Sequence, residues 1–222
     1  AVSKSFVSNV FAYMSLALAI SGALAYLFGT TELGESLGSL NKGMTPLGWI
    51  VMLSPLAFIL VMNFGFNKMS FGTLLMVFLG YAAVMGMSMS FIFSVYDRAV
   101  ITKVFFITAG LFGAMAFIGY TTKTDLTKFG GILIMALIGI VIASLVNMFL
   151  DSKPFDYLIS CAGVLVFTGL TAYDVQKIKR IGAGVEFGTA EASKLALMGA
   201  LSLYLDFVNL FMFLLRVFAR RD

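Results

Sequence analysis

The placement of charge constrains this chain more than any other feature. Uncharged apolar runs cover residues 5–31, 43–67, 69–96, 104–122, 129–150 and 157–173, and residues 195–215 carry a single acid, Asp206. A helix rises about 1.5 Å per residue, so about 20 apolar residues cross about 30 Å of hydrocarbon. Seven runs of this kind predict seven spans, at about residues 6–28, 47–66, 70–94, 104–121, 130–150, 156–175 and 194–216. The runs are continuous, not alternating segments of about ten residues, which favours helices over a barrel. Of the 222 residues, 60% are hydrophobic and 12% charged. A soluble domain carries about 25% charged residues, so a water-soluble globule is excluded. The expected fold is all-α: an integral membrane bundle of seven helices, forming one transmembrane domain over residues 1–222.

Two absences narrow the chemistry. There is no histidine, which removes imidazole catalysis, histidine-ligated metals and histidine-based pH sensing. The one cysteine, Cys161, can form neither an intrachain disulfide nor a thiolate metal site, and reads as a small packing residue. No cofactor and no enzymatic activity are expected. A membrane serine protease wants a histidine base, and a retinal protein needs a lysine deep in a span, where this chain has none. Tyr173-Asp174 resembles half of a di-aspartyl protease site, but Asp206 sits in Leu-Tyr-Leu-Asp and lacks the Gly-x-Gly-Asp setting of that class. Pro55-Leu56-Ala57 likewise has the wrong order for the Pro-Ala-Leu motif.

The net charge of +4 points to loops that hold topology against anionic lipid, so nucleic acid is not an expected partner. Lys4, Lys68, Lys123, Lys128, Lys177, Lys179, Arg180 and Lys194 fall on one side; Lys42, Arg98, Lys103, Lys153, Arg216, Arg220 and Arg221 fall on the other. The excess of one charge favours a cytoplasmic N-terminus, and the Lys177, Lys179, Arg180 cluster reads as a topology anchor and lipid contact. The first apolar run is expected to serve as its own insertion signal. Ser54-Pro55 inside the second run should kink that helix, and the carbonyl that proline frees must find a donor within the bundle. The run Met85 to Ser90 offers soft sulfur, but adjacent residues point around a helix and suit adaptable packing better than copper.

Ionisable groups inside a span are rare and costly, so each is a functional candidate. Gly199, Ser202, Asp206, Asn209, Phe213 and Arg216 are spaced by three and four, which places them on one face of the last helix. Asp174 closes the sixth run and is the second acid of interest; Asp97, Asp125, Asp151 and Asp156 read as solvated loop acids. Carboxylates, hydroxyls and an amide carbonyl suit a hard cation such as calcium, and a conducting site must bind it weakly. Protons compete for the same carboxylates, which links conduction to pH without histidine.

At these residues the chain resembles the Bax inhibitor-1 family, also called the transmembrane Bax inhibitor motif family. The likeness rests on Phe-Thr-Gly-Leu-Thr-Ala-Tyr-Asp-Val-Gln-Lys-Ile-Lys at residues 167–179. It rests equally on Ala-Leu-Ser-Leu-Tyr-Leu-Asp-Phe-Val-Asn-Leu-Phe at 200–211, with Arg216 after it. The short tails are similar to those of bacterial members, which implies a multi-pass protein of the bacterial plasma membrane. The resemblance implies a calcium leak with the last helix central to the other six. It also implies a pH-sensing, calcium-binding pair of aspartates, falling on Asp174 and Asp206, with Ser202 and Asn209 lining the pathway. In bacterial relatives the arginine matching Arg216 latches to an acid near the start of the second helix; here Glu32 and Glu35 lie in the first connection, and either can take that place. An arginine that supports the pair in some relatives has no match in the second span.

The leading expectation is therefore a pH-sensitive passive calcium channel, acting as a monomer with calcium and protons as its ligands and the bilayer as its solvent. The alternative is a membrane-embedded regulator that binds partner proteins and transports nothing.

Overall fold

The computed structural model describes residues 2–39, 43–186 and 188–218; Lys42, Arg220 and Arg221, counted above toward topology, lie outside the described residues. The order is α1 (Val2–Thr30), a 3-10 turn (Glu32–Ser36), β1 (Gly38–Ser39), β2 (Gly43–Met44), α2 (Pro46–Gly65), α3 (Phe71–Met89), α4 (Ile92–Val95), α5 (Arg98–Thr121), α6 (Thr127–Leu150), α7 (Lys153–Gly184) and α8 (Ala190–Phe218). The two strands form a two-residue antiparallel pair, with Gly38 opposite Met44. Among the described residues, seven segments are long and apolar enough to span a membrane, with α3 and α4 together making the third.

Most helices run a few residues past the predicted spans, and three differences stand out. The third span is interrupted after Met89, because Ser90 returns both its N–H and its hydroxyl to the Met87 carbonyl, at 3.1 and 2.7 Å. Helix α5 begins at Arg98 instead of about residue 104. Helix α7 continues past Asp174 to Gly184, through residues read as loop. Charge marks the edge of hydrocarbon, whereas lysine, arginine and glutamine are good helix formers and carry a helix on into water. At 32 residues α7 rises about 48 Å, more than the bilayer core is thick.

The chain divides into two compact units, residues 1–97 with 185–201 and residues 98–184 with 202–222. In the first, α1 meets α3 closely: Ser21 Oγ donates to the Ala82 carbonyl at 2.6 Å, and Gly86 stands against the Ser21 backbone, where a Cβ would collide. Helix α2 starts at a Thr45 cap that accepts from the Gly48 N–H at 3.0 Å, with Pro46 in the first turn. Pro55 denies the Val51 carbonyl its helical donor, and two hydroxyls replace it: Ser88 from α3 at 2.9 Å and Ser54 at 3.0 Å.

In the second unit α7 is gripped by both neighbours. Gly119 of α5 lies directly on the Ala172 backbone, and Gly130 of α6 lies under the Tyr173 ring. The C-terminal part of α8 joins α5 through edge-to-face rings, Phe207 with Phe105 and Phe112 at 5.6 and 5.4 Å. It meets α7 where Phe213 stacks on Phe167 at 5.8 Å and fills the space that Gly163 leaves open. Helix α6 presents an apolar surface, with 11% of its span buried, while α8 is the most buried of the seven at 67%. Lipid is as apolar as leucine, so the exposed face of α6 costs nothing in a bilayer.

Candidate functional site

The last two helices run antiparallel through the second unit and bring Asp174 and Asp206 together. Their carboxyl groups are in hydrogen-bond contact. Asp206 is 5% exposed, and among the described residues no N–H or hydroxyl donor reaches its Oδ2 atom. Asp174 is half-buried. Taken as straight rods, α7 and α8 would leave the acids about 11 Å apart in depth were Tyr157 level with Arg216. The acids meet even though Arg216 reaches Asp156, one residue before Tyr157, so the straight-rod picture does not hold for this pair of helices.

Helix α8 carries its leucines inward. Leu203, Leu210, Leu214 and Leu215 are buried along with Tyr204, Phe207 and Phe211. The polar stripe is the accessible side: Ser202, Asn209 and Phe213 are half-exposed and Arg216 is exposed, leaving Asp206 as the buried member. Asn209 Nδ2 donates to the Leu205 carbonyl at 2.8 Å, which leaves its carbonyl oxygen as the group it can offer a cation.

Arg216 Nη1 stands 3.9 Å from Asp156 Oδ1, and its guanidinium lies 5.7 Å from the Phe213 ring. The acid beside Arg216 is thus one that the sequence reading left among solvated loop acids, placed here in the first turn of α7. Glu32 and Glu35 stand on the exposed 3-10 turn of the first unit.

Sequence reasoning missed the polar residues just beyond Asp174. Gln176 holds the α5–α6 connection by both ends of its amide, accepting from the Leu126 N–H and donating to the Thr124 carbonyl, each at 2.8 Å. Lys179 Nζ donates to the Tyr120 carbonyl at 2.8 Å, and Arg180 pairs with Asp125 at 2.7 Å. Lys179 and Arg180 therefore fasten protein to protein, where the sequence suggested a lipid anchor. Asp125 is correspondingly more than a solvated acid: the Thr127 hydroxyl at 2.6 Å and then the Arg180 guanidinium hold its carboxyl down from 3.8 to about 2. Their signal in the sequence was the unbroken helical composition of residues 174–180.

The arrangement resembles known proteins along its whole length. The family model described as inhibitor of apoptosis-promoting Bax1 matches residues 3–222. The chain is 41% identical to the inner membrane protein YbhL of Escherichia coli K12 over 219 residues, covering 98% of this chain and 92% of that protein. It is 41% identical over 220 residues to a Borreliella burgdorferi protein, covering 99% and 94%. An uncharacterized membrane protein of Streptococcus pyogenes serotype M3 is 35% identical over 98% of this chain and 93% of its own length. Seven apolar helices, the acid pair joining the last two, and a match from residue 3 to the end place the chain in the Bax inhibitor-1 family of multi-pass membrane proteins.

Proposed function

We propose that the protein is a pH-sensitive passive calcium leak of the bacterial plasma membrane, in which Asp174 and Asp206 bind protons and calcium competitively. The observation that carries this reading is the contact between two carboxyl groups on membrane-spanning helices, with no donor of another residue on Asp206 Oδ2. Two carboxylates side by side repel unless a proton or a cation lies between them. With one proton shared, the pair draws α7 and α8 together and narrows the path. When that proton leaves, repulsion parts the helices and exposes hard oxygen donors. Calcium bridges the same atoms, so it opposes the separation and competes with the proton. Two carboxylates with Ser202 and Asn209 make a sparse ligand set, which suits passage better than storage. Arg216 acts as a latch at the far end of the accessible stripe.

The test is calcium flux into liposomes containing only this protein and lipid. Flux that rises with pH in the wild type, falls strongly in Asp206→Asn and is unchanged in Asp97→Asn supports the reading. Absence of flux at every pH overturns it and leaves a partner-binding regulator in its place.

A further inference from the structure

Two residues beyond Asp174, α7 carries a glutamine that is 6% exposed and holds the α5–α6 connection with both ends of its amide. The pairing fixes which end is oxygen, because the Leu126 N–H needs an acceptor and the Thr124 carbonyl needs a donor. Successive residues of a helix are turned by about 100°, so side chains two apart point about 200° from one another. Asp174 therefore faces α8 while Gln176 faces the opposite way, into the connection. Helix α7 is held from both sides at one level, and a rotation that swings Asp174 off Asp206 must pull Gln176 out of its two backbone partners.

Other groups fasten the same connection, but less firmly. The Arg180–Asp125 pair is nearly half-exposed on both sides, and ion pairs of that kind are screened by water and salt. Lys179 reaches the last turn of α5 at Tyr120. A buried amide stripped of its partners, by contrast, leaves donors and acceptors unsatisfied on both sides. The charged groups around this end of α7 are Asp206 on α8, Lys177, Lys179 and Arg180 on α7 itself, and Asp125 in the connection. Gln176 carries no charge at any pH, so a changed pH profile in Gln176→Ala reports displaced acids and not a titration at position 176, whereas Gln176→Glu brings in a carboxyl of its own and is read chiefly by labelling.

We propose that Gln176 is a positioning residue that fixes the rotation of α7, so that the α5–α6 connection sets the register of Asp174 against Asp206. The inference rests on the acid pair being the pH-responsive element of the leak.

The experiment compares calcium leak from proteoliposomes over the neutral and mildly acidic range for wild type, Gln176→Ala, Gln176→Glu, Arg180→Gln and Asp206→Asn. Gln176→Ala should lose most of the pH-dependent change and leak several-fold faster at the acid end. Gln176→Glu keeps an acceptor for Leu126 but no donor for Thr124, so it should fall between; Arg180→Gln gives up a 3.3 Å contact to Gln176 Oε1 but leaves both backbone partners of the amide in place, so it should shift the profile less than either. A second arm follows labelling of Thr124→Cys by an impermeant maleimide in a Cys161→Ser background. Labelling should quicken when Gln176→Glu is added, and this arm decides the matter if Gln176→Ala does not fold. A folded Gln176→Ala protein with the wild-type pH profile, or labelling unchanged by Gln176→Glu, overturns the proposal. A wild-type protein that does not leak at any pH removes the leak reading instead, while the labelling arm still decides the fastening.

Discussion

Ser88 of α3 gives its hydroxyl to the Val51 carbonyl of α2, the one carbonyl that Pro55 leaves without a helical donor. Ser54 reaches the same oxygen from within α2, at 3.0 Å. The hydrogen bond that proline removes is thereby replaced in part from a neighbouring helix.

Removing one of the two hydroxyls should be mild. Hydrogen bonds between membrane helices average about 0.6 kcal/mol in mutant cycles, so Ser88→Ala should lower stability by about that much. Ser54→Ala with Ser88→Ala should cost more than the two added, because the carbonyl is then bare in hydrocarbon. Reversible unfolding in detergent reads both, and strictly additive losses would show that the carbonyl has another donor.

The acid pair should respond as a unit. Asp174→Asn and Asp206→Asn should each flatten the pH dependence of calcium leak, and the double variant should change little more. Each single substitution removes one of the two charges whose repulsion parts the helices. If the two effects simply add, the acids titrate independently and the shared-proton switch is wrong.

Asp125 should remain ionised across the whole range in which the leak is measured. Its carboxyl titrates lower in the fold, near 2, than its ordinary 3.8. A depressed value stabilises the fold above the ordinary value, and that contribution disappears as pH falls from 3.8 toward 2. The Arg180–Asp125 contact is therefore constant at neutral pH and weakens only in strong acid. A carbon-detected titration should show Thr127→Ala raising the Asp125 value more than Arg180→Gln does, since the hydroxyl is the larger cause. The reverse order would mean that the guanidinium dominates.

Arg216 should show measurable coupling to Asp156. The pair is exposed and 3.9 Å apart, so a double-mutant cycle on stability should give at most about 1 kcal/mol. If Arg216 is a latch, Arg216→Ala should raise resting leak and Arg216→Lys should restore it partly, because the planar fork is lost. Cycles with Glu32 and Glu35 on leak rate test the partner that the family resemblance implies. Unchanged leak in Arg216→Ala would make the arginine an interfacial anchor.

What was legible in the sequence is what hydrocarbon penalises. Asp206 stood out because a carboxyl among leucines needs a reason, and Pro55 because its freed carbonyl does. Seven runs were visible because every span must be apolar along its whole length. Beyond the hydrocarbon those penalties lapse, and the reading weakened there. Residues 175–184 are helical in spite of their charge, Gln176 is buried in spite of its polarity, and Asp156 meets Arg216 from a position that looked like loop. The α3–α4 break escaped notice because one serine bonding back to Met87 leaves no trace in hydropathy.

The bare meeting of Gly119 with the Ala172 backbone has a mechanical consequence. Where two helices touch main chain to main chain, no rotamer can turn aside to let them slip. Helices α5 and α7 thus form a stiff partition, while the seam of α8 against Phe105 and Phe112 is filled by rings that can tilt and part. If α8 moves as proposed, the rings can give way where the α5–α7 contact cannot, and a bulkier residue at Gly119 would split the partition before it freed α8.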